Sequence, residues 1–514
     1  MAAPVTEQAI LASPGATSSG WSISFAVPPS GNAYRIDAYA VAVDGPAAVP
    51  AADDEFFVGP AAGGPTFSLP RGYAAPGGKV WVKGTGFGPN EAVTITMLGK
   101  VVRQATSNAS GSVSAINVTV PATAGFGPTA LVATGTTSGK AAAASIDVTN
   151  SWPQLGGGPA RTGFEANDQV IQNTVDPGQS ILLDPAWHFS AGAALTSPAV
   201  VHHVVYVGDQ HGTLHALQAR DGTQLWTWST PTGAAITGAP AVDAATGLAF
   251  VGAADGTLYA VFTSGPSAGT IAWSAQVGGG SVQSPAFDAT AVYAASTGGE
   301  VAALSKTTGS SVWSVPVSGG GYAAPALDTA TQVLVVPTSS GITALSTATG
   351  TSLWSFALPG PASPMLAAGV VYVGSSNDDV YAVSESTGQQ IWSTATGGAI
   401  QDSGALSEGA HGSVTGLYIG SADGYLYFLN PSTGAVLHRV NLGASASGLA
   451  FAGNIVLAAT TGLAEGVRTF PEHVWSYDPG DGNLLPPAVV NGTVFVAGQQ
   501  GTLWALTPYG GPPQ

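Results

Sequence analysis

Short apolar runs between turn residues set the pattern of this chain, and eight of them open in the same way. A small residue and then a proline, or a glycine in its place, precedes each run: Pro198, Pro240, Pro285, Pro325, Pro364, Gly404, Gly448 and Pro487. A second series keeps step with the first at Trp187, Trp226, Trp273, Trp313, Trp354, Trp392, His438 and Trp475. Each of its members lies ten to fourteen residues before its partner. Short strands and Gly-rich turns repeated at this spacing predict an all-β chain built as a β-propeller. Each repeat is a small sheet that buries its faces only against its neighbours.

Residues 197–228 show the grammar of one repeat. Ser197-Pro-Ala-Val200 reads as the innermost strand, lining a central channel, where an edge strand can spare the amide donor that proline lacks. Val204-Val-Tyr-Val207 is the second strand, and Gly208-Asp-Gln-His-Gly212 supplies the left-handed turn. Thr213-Leu-His-Ala-Leu217 is the third strand, Asp221-Gly222 the next hairpin, and Gln224-Leu-Trp226 the outer strand. In five repeats the Trp follows the hairpin glycine by four residues: Gly222/Trp226, Gly269/Trp273, Gly309/Trp313, Gly350/Trp354 and Gly388/Trp392. The last repeat, Pro487 to Leu506, has only three strands, whereas Trp187 precedes the first inner strand with no repeat of its own. Trp187 is therefore expected to supply the outer strand of the eighth blade and close the ring. Eight blades follow, or seven if the poorest copy, about residues 447–476, does not form.

The rest of the chain divides into three further stretches. Residues 1–62 hold alternating segments at Trp21–Val27 and Tyr34–Val43 and end on Phe56-Phe57-Val58, as the last strands of an immunoglobulin-like β-sandwich would. Two or three strands do not close a sandwich core, so the remainder is expected upstream or from a neighbouring molecule. Residues 63–149 read as a whole sandwich, with strands at Lys79–Lys83, Ala92–Met97, Val101–Ala105, Val113–Val120, Ala130–Thr134 and Ala143–Val148. Residues 150–186 read as a linker, and 187–514 as the propeller. The Pro76-Gly-Gly…Gly84-Thr-Gly-Phe-Gly-Pro-Asn-Glu91 stretch resembles the opening of bacterial immunoglobulin-like modules of surface proteins. Trp152-Pro-Gln-Leu-Gly-Gly-Gly-Pro-Ala-Arg-Thr-Gly163 and the phased repeats resemble the pyrroloquinoline-quinone-type (PQQ-type) propeller family, from about residue 150 to the C-terminus. That resemblance implies the propeller fold. It also implies that the Trp series packs between adjacent blades, each worth about 2–3 kcal/mol, with a weaker or polar contact at His438. The family is named after a cofactor that many members do not bind.

Composition narrows the function classes. Only 8% of the 514 residues are charged, against about a quarter in an ordinary soluble domain, so Ser, Thr, Asn, Gln and Gly must build the surface. Such a surface suits the cell exterior and depends little on ionised carboxylates, which predicts acid tolerance. A net charge of −17 with 12 Lys and Arg opposes nucleic acid and anionic lipid. The absence of cysteine excludes disulfides, thiolate nucleophiles and Cys-ligated zinc. No run reaches membrane-spanning length. The opening Met1–Gly15 lacks the basic and apolar parts of a secretion signal, so the chain reads as part of something longer.

The candidate chemistry is sparse. PQQ-dependent dehydrogenases resemble this chain in repeat grammar; they cradle the quinone in the channel mouth with a calcium ion and an Asp base. Here Asp209, Asp221, Asp255, Asp378, Asp379 and Asp423 fall at turn positions, which already accounts for them. His202, His203, His211 and His215 lie close in sequence but at opposite ends of their strands. Asp478-Pro-Gly-Asp-Gly-Asn483 could cup calcium, but reads as an Asx-rich turn. No catalytic, cofactor-binding or metal residue is assigned. The expectation is a non-catalytic secreted or cell-surface propeller that binds protein or glycan, resembling in its propeller the outer-membrane assembly lipoproteins. The alternatives are a PQQ-dependent quinoprotein dehydrogenase and a self-assembling filament subunit completed by N-terminal strand exchange.

Overall fold

A computed structural model describes residues 65–68, 73–74, 79–97, 99–121, 127–148, 151–165, 183–320, 323–408, 414–452, 454–468 and 473–508. The expected partial sandwich at 1–62, and the filament reading that depends on it, lie outside these residues. The chain forms two compact units, the first ending at Asp147 and the second running from Val148. Apart from one 3-10 turn at Gly265–Ser267, the elements of the described residues are strands. Among the described residues no helix is long and apolar enough to cross a membrane.

The first unit holds two antiparallel sheets. One contains Thr66–Ser68, Lys79–Thr85 and Val113–Thr119; the other contains Tyr73–Ala74, Ala141–Val148, Gly127–Gly135, Ala92–Met97 and Lys100–Thr106. Alternate residues Val93, Ile95 and Met97 are buried with Val82, Val118, Leu131 and Ile146, as a period-2 pattern dictates. Glu91 fixes the loop before Ala92. Its carboxylate accepts bonds from Ser138 Oγ (2.6 Å), Ser138 N (2.7 Å), Thr137 N (3.1 Å) and Gly88 N. The hydrogen bond from the Ser138 side chain is the largest of the effects that hold Glu91 at about 2, below the ordinary 4.5.

The second unit is a series of eight sheets. The first six are four-stranded, antiparallel and built from consecutive strands running inside to outside, and the seventh adds Phe164–Glu165 as a fifth, parallel strand. The first comprises Ala199–Val201, Val204–Gly208, Thr213–Gln218 and Gln224–Ser229. The next six begin with the inner strands Ala241–Asp243, Ala286–Phe287, Ala326–Asp328, Met365–Ala367, Ala405–Glu408 and Ala446–Ala452. The weak copy does form, as Ala446–Ala452, Ile455–Thr460, Ala464–Arg468 and His473–Tyr477. The eighth sheet takes Ala488–Val490, Thr493–Ala497 and Thr502–Pro508 from the C-terminal end, and Leu183–Ser190 from far earlier in the chain. Trp187 pairs with Ala505, and the strand containing it starts at Leu183, four residues before the expected boundary.

Both faces of the inner three strands of these sheets are buried, so those strands read as nearly unbroken apolar runs. Leu214 and Ala216 pack toward the second sheet, while Val205, Val207 and Leu217 pack toward the eighth. Each apolar layer joins two successive sheets, and the last joins the seventh and eighth to the first, so the series closes on itself. The anchor prolines sit immediately before the inner strands. Gly448 differs in lying within one.

Candidate functional site

The eight slot residues occupy one register. Trp226, Trp273, Trp313, Trp354 and Trp392 lie opposite Ala216, Ala260, Ala303, Ala344 and Ala382, and each pairing is followed by a register shift. A small residue on the third strand leaves room for the indole. In the sixth sheet the sizes are exchanged: Phe428 faces His438, which is exposed. Trp475 faces Gly466.

The hairpin glycine four residues ahead of a Trp does not serve that Trp; it seats the one from the preceding sheet. A Cβ on Gly222, Gly309, Gly350, Gly388 or Gly434 would lie 2.5–2.7 Å from Trp187, Trp273, Trp313, Trp354 or Trp392 respectively. The indole N–H then donates to the carbonyl three residues before that glycine. The bonds are Trp187 to Ala219 (2.8 Å), Trp273 to Lys306 (2.8 Å), Trp313 to Thr347 (2.6 Å), Trp354 to Glu385 (2.6 Å) and Trp392 to Pro431 (2.9 Å). Trp475 is buried with its Nε1 unpartnered. The eighth sheet joins its third and outer strands from the two ends of the second unit, so no hairpin stands there to receive it.

Residues 151–165 fall within the stretch 150–186 expected as an entry linker, but they are part of the ring's centre. They cross the centre of the ring. The carbonyls of Trp152, Pro153, Pro159, Ala160, Thr162 and Gly163 accept bonds from the amides of Val200, Val242, Leu327, Leu366, Leu406 and Phe451, at 2.6–2.9 Å. Six inner strands are thereby joined to one segment. Alternate residues of an inner strand face the channel, so without the anchor proline its amide would point there unpaired. Proline removes that donor in four of these sheets, and there, as after Gly404, the amide two residues later is the one this segment satisfies.

Arg161 completes the arrangement. It is fully buried, and its guanidinium donates to the carbonyls of Leu155, Ser284, Pro285 and Pro325, bringing in the third sheet. Burial pulls Arg161 down to about 9, which leaves it cationic at neutral pH. Its backbone is left-handed (φ 54°), and Gly156, at φ 70°, leaves no space for a Cβ, which would lie 2.8 Å from Arg161 Cα. Trp152, 1% exposed, is buried with residues of the first, seventh and eighth sheets.

The remaining candidates are distributed around this centre. His202 and His203 form the left-handed turn between the first two strands of their sheet. His211 lies in the turn at the opposite end, and His215 Nε2 bonds Asp209 Oδ2 at 3.0 Å. The hydroxyls of Tyr259 and Tyr427 reach Asp255 and Asp423 in the same way. Burial pushes Asp255 and Asp423 upward, but hydrogen bonds from Thr232 and Tyr259, and from Tyr427 and Ser421, outweigh it and hold both below the usual range. Asp478 closes an Asx turn onto Gly480 N (2.8 Å), and Asp481 Oδ2 accepts Thr502 N (3.0 Å). Among the described residues no three His, Asp or Glu side chains are placed to hold a metal. Asp402 lies two residues before the Gly404 anchor, where the other sheets have Thr196, Gly238, Gln283, Ala323, Ala362, Ala446 and Leu485. Burial raises it to about 7.

A cyclic series of radial sheets with these interlocked outer strands defines a β-propeller with PQQ-type repeats. The family model described as outer membrane protein assembly factor BamB matches residues 129–319 and 263–410, more than half of the chain, and the chain belongs to that family. The assembly factor BamB of Escherichia coli K12 is 28% identical over 138 residues, which cover 24% of this chain and 34% of that protein. The match thus spans about a third of the curated relative's length. BamB from Moraxella catarrhalis superposes with a TM-score of 0.54 at 16% identity, covering 63% of this chain and 100% of that one. A quinohemoprotein alcohol dehydrogenase from Pseudomonas putida HK5 gives 0.56 at 15% identity, covering 70% and 80%. At these identities the structural likeness is one of fold.

Proposed function

We propose that this chain is a non-catalytic propeller scaffold, displayed outside the cytoplasm, whose outer surface binds a protein partner. In this reading the eight sheets are the eight blades of one ring, and the first unit is an immunoglobulin-like spacer. The observation that carries the proposal is the filled channel. Residues 151–165 pair with six inner strands, and Arg161 takes carbonyls of the third and fourth sheets, in the region where a quinone would need open space. Of the eight residues that stand two before the anchors, Asp402 alone is a carboxylate, a thin basis for a calcium ion and a base.

The outer strands support a protein partner. Gln224–Ser229, Ile271–Gln276, Ser311–Pro316, Ser352–Ala357 and Gln390–Ala395 contain no charged residue, although charge is a common protection of open edges. Leu225, Val312, Leu353 and Ile391, each just before its slot Trp, are about half exposed. The role that the name of the outer membrane protein assembly factor BamB gives that relative agrees with this class of partner. The test is a calorimetric titration with PQQ and calcium, run beside dye reduction with alcohols and sugars. Neither binding nor turnover is expected. Micromolar binding with substrate-dependent reduction would overturn the proposal.

A further inference from the structure

The segment that crosses the channel has the features of a bound peptide. Its polar contacts with the ring run mainly through its own carbonyls, which accept from one amide on each of six inner strands. Two side chains anchor it nine residues apart: Trp152 in an apolar layer, and Arg161 on ring carbonyls. Its sheet pairing with the ring is limited to Phe164–Glu165, parallel to Phe451 and Ala452, and the isolated bridge of Trp152 to Val200. Phe164–Glu165 is an added fifth strand on the seventh sheet, and the segment supplies no strand to the other seven. The ring is complete around it, since the eighth sheet is closed by Leu183–Ser190 without help from the segment.

We propose that the central channel is a peptide-binding site, filled in this chain by its own residues 151–165. The site selects a Gly/Pro-rich segment that turns through its middle, with a tryptophan near one end and an arginine nine residues on. The chemistry is specific at three points. The inward amides, five of them two residues beyond their anchors and Phe451 three beyond Gly448, each require a carbonyl. The carbonyls of Ser284, Pro285 and Pro325 require a planar multiple donor, which lysine does not provide. The apolar layer of the first, seventh and eighth sheets requires an aromatic ring. The inference concerns the inside of the ring and is independent of what the outer surface binds.

The experiment uses the full chain and a fluorescent synthetic peptide of residues 151–165. A tethered segment acts at an effective concentration on the order of millimolar. Micromolar free peptide should therefore leave the wild type essentially unlabelled. The variant Trp152→Ala/Arg161→Ala weakens the internal occupant. It should take up one peptide per chain, at least about 100-fold more tightly than the wild type does, and recover the melting temperature it has lost. A peptide carrying the same two alanines should not bind. If the double variant does not fold alone, it is refolded from urea with and without peptide, and recovery of β circular dichroism only with the native peptide supports the site. Equal labelling of wild type and variant, equal binding of the alanine peptide, or a folded variant that takes up no peptide would each overturn the proposal, as would refolding that the peptide does not improve.

Discussion

Replacing Gly388 by alanine tests the interlock between neighbouring sheets. Two costs are expected. Gly388 has φ 70°, a left-handed conformation that costs an L-residue about 1 kcal/mol. The new methyl would also lie 2.7 Å from Trp354 Cδ2 and 2.8 Å from Cγ and Cε3, and overpacking of that kind adds about 1–3 kcal/mol. Gly388→Ala should therefore lose about 2–4 kcal/mol. The internal control is Gly369, at φ 76° with nothing within 4 Å of a built Cβ, where the same substitution should cost only about 1 kcal/mol. In a Trp354→Ala background the overlap is gone, so Gly388→Ala should fall to the Gly369 value, giving a coupling of about 1–3 kcal/mol. Equilibrium urea unfolding, followed by far-UV circular dichroism, measures all four differences. Equal costs at Gly388 and Gly369, or a Gly388 cost that persists without Trp354, would refute the assignment of this glycine to the preceding sheet's indole.

Other expectations concern the indoles, the turns and pH. Trp354→Phe leaves the Glu385 carbonyl without its donor, whereas Trp475→Phe removes an N–H that has no partner, so the former should cost about 1 kcal/mol more in urea unfolding. His202 and His203 hold φ 50° and 59° in a turn that the eighth sheet makes with Asn491-Gly492 at 50° and 77°; His202→Asn/His203→Gly should stabilise by about 1 kcal/mol, and an unchanged or lower urea midpoint would argue otherwise. Glu91 and Asp402 should respond oppositely to acid. Glu91 is depressed to about 2, so its stabilisation of the first unit is full above its ordinary 4.5 and is lost as pH falls through about 2. Asp402 is raised to about 7, so the folded second unit holds a proton that the unfolded chain releases above 3.8; its contribution is full below 3.8 and is lost as pH rises through about 7. Calorimetry should show the second-unit transition rising between pH 7.5 and 4.5, and Asp402→Asn should reduce that rise, leaving the part due to Glu385, which burial also pushes up.

The repeat was legible because its signals are local. Proline before an apolar run, Asp-Gly at a turn and tryptophan after a hairpin each report on a few consecutive residues, and counting them placed Trp187 in the last sheet. The partner of each hairpin glycine was not legible. Gly222 and Trp226 keep a fixed spacing in sequence, but the ring that Gly222 seats is Trp187, one sheet away. Spacing inside a repeat carries no information about contacts between repeats. Residues 151–165 were misread as a linker for a related reason: they contact the ring largely through backbone carbonyls, which every sequence possesses. Two residues did carry a signal. Trp152 and Arg161 stand in a run rich in glycine and proline, and Arg161 is one of only 12 Lys and Arg residues. The Glu91 cluster was likewise visible only as a family motif, since its donors, Thr137 and Ser138, lie more than forty positions away.

The channel segment follows the first unit directly in sequence, and this gives the chain a defined load path. Tension applied through the N-terminal side reaches residues 151–165 before it reaches a strand of the ring. There it is divided among bonds to six inner strands and the fork of Arg161, as a hub divides load among spokes. An edge strand peels from a sheet one bond at a time. A hub bonded to seven of the eight sheets spreads the load among them, so the centre of the ring should withstand more pull than an edge strand does.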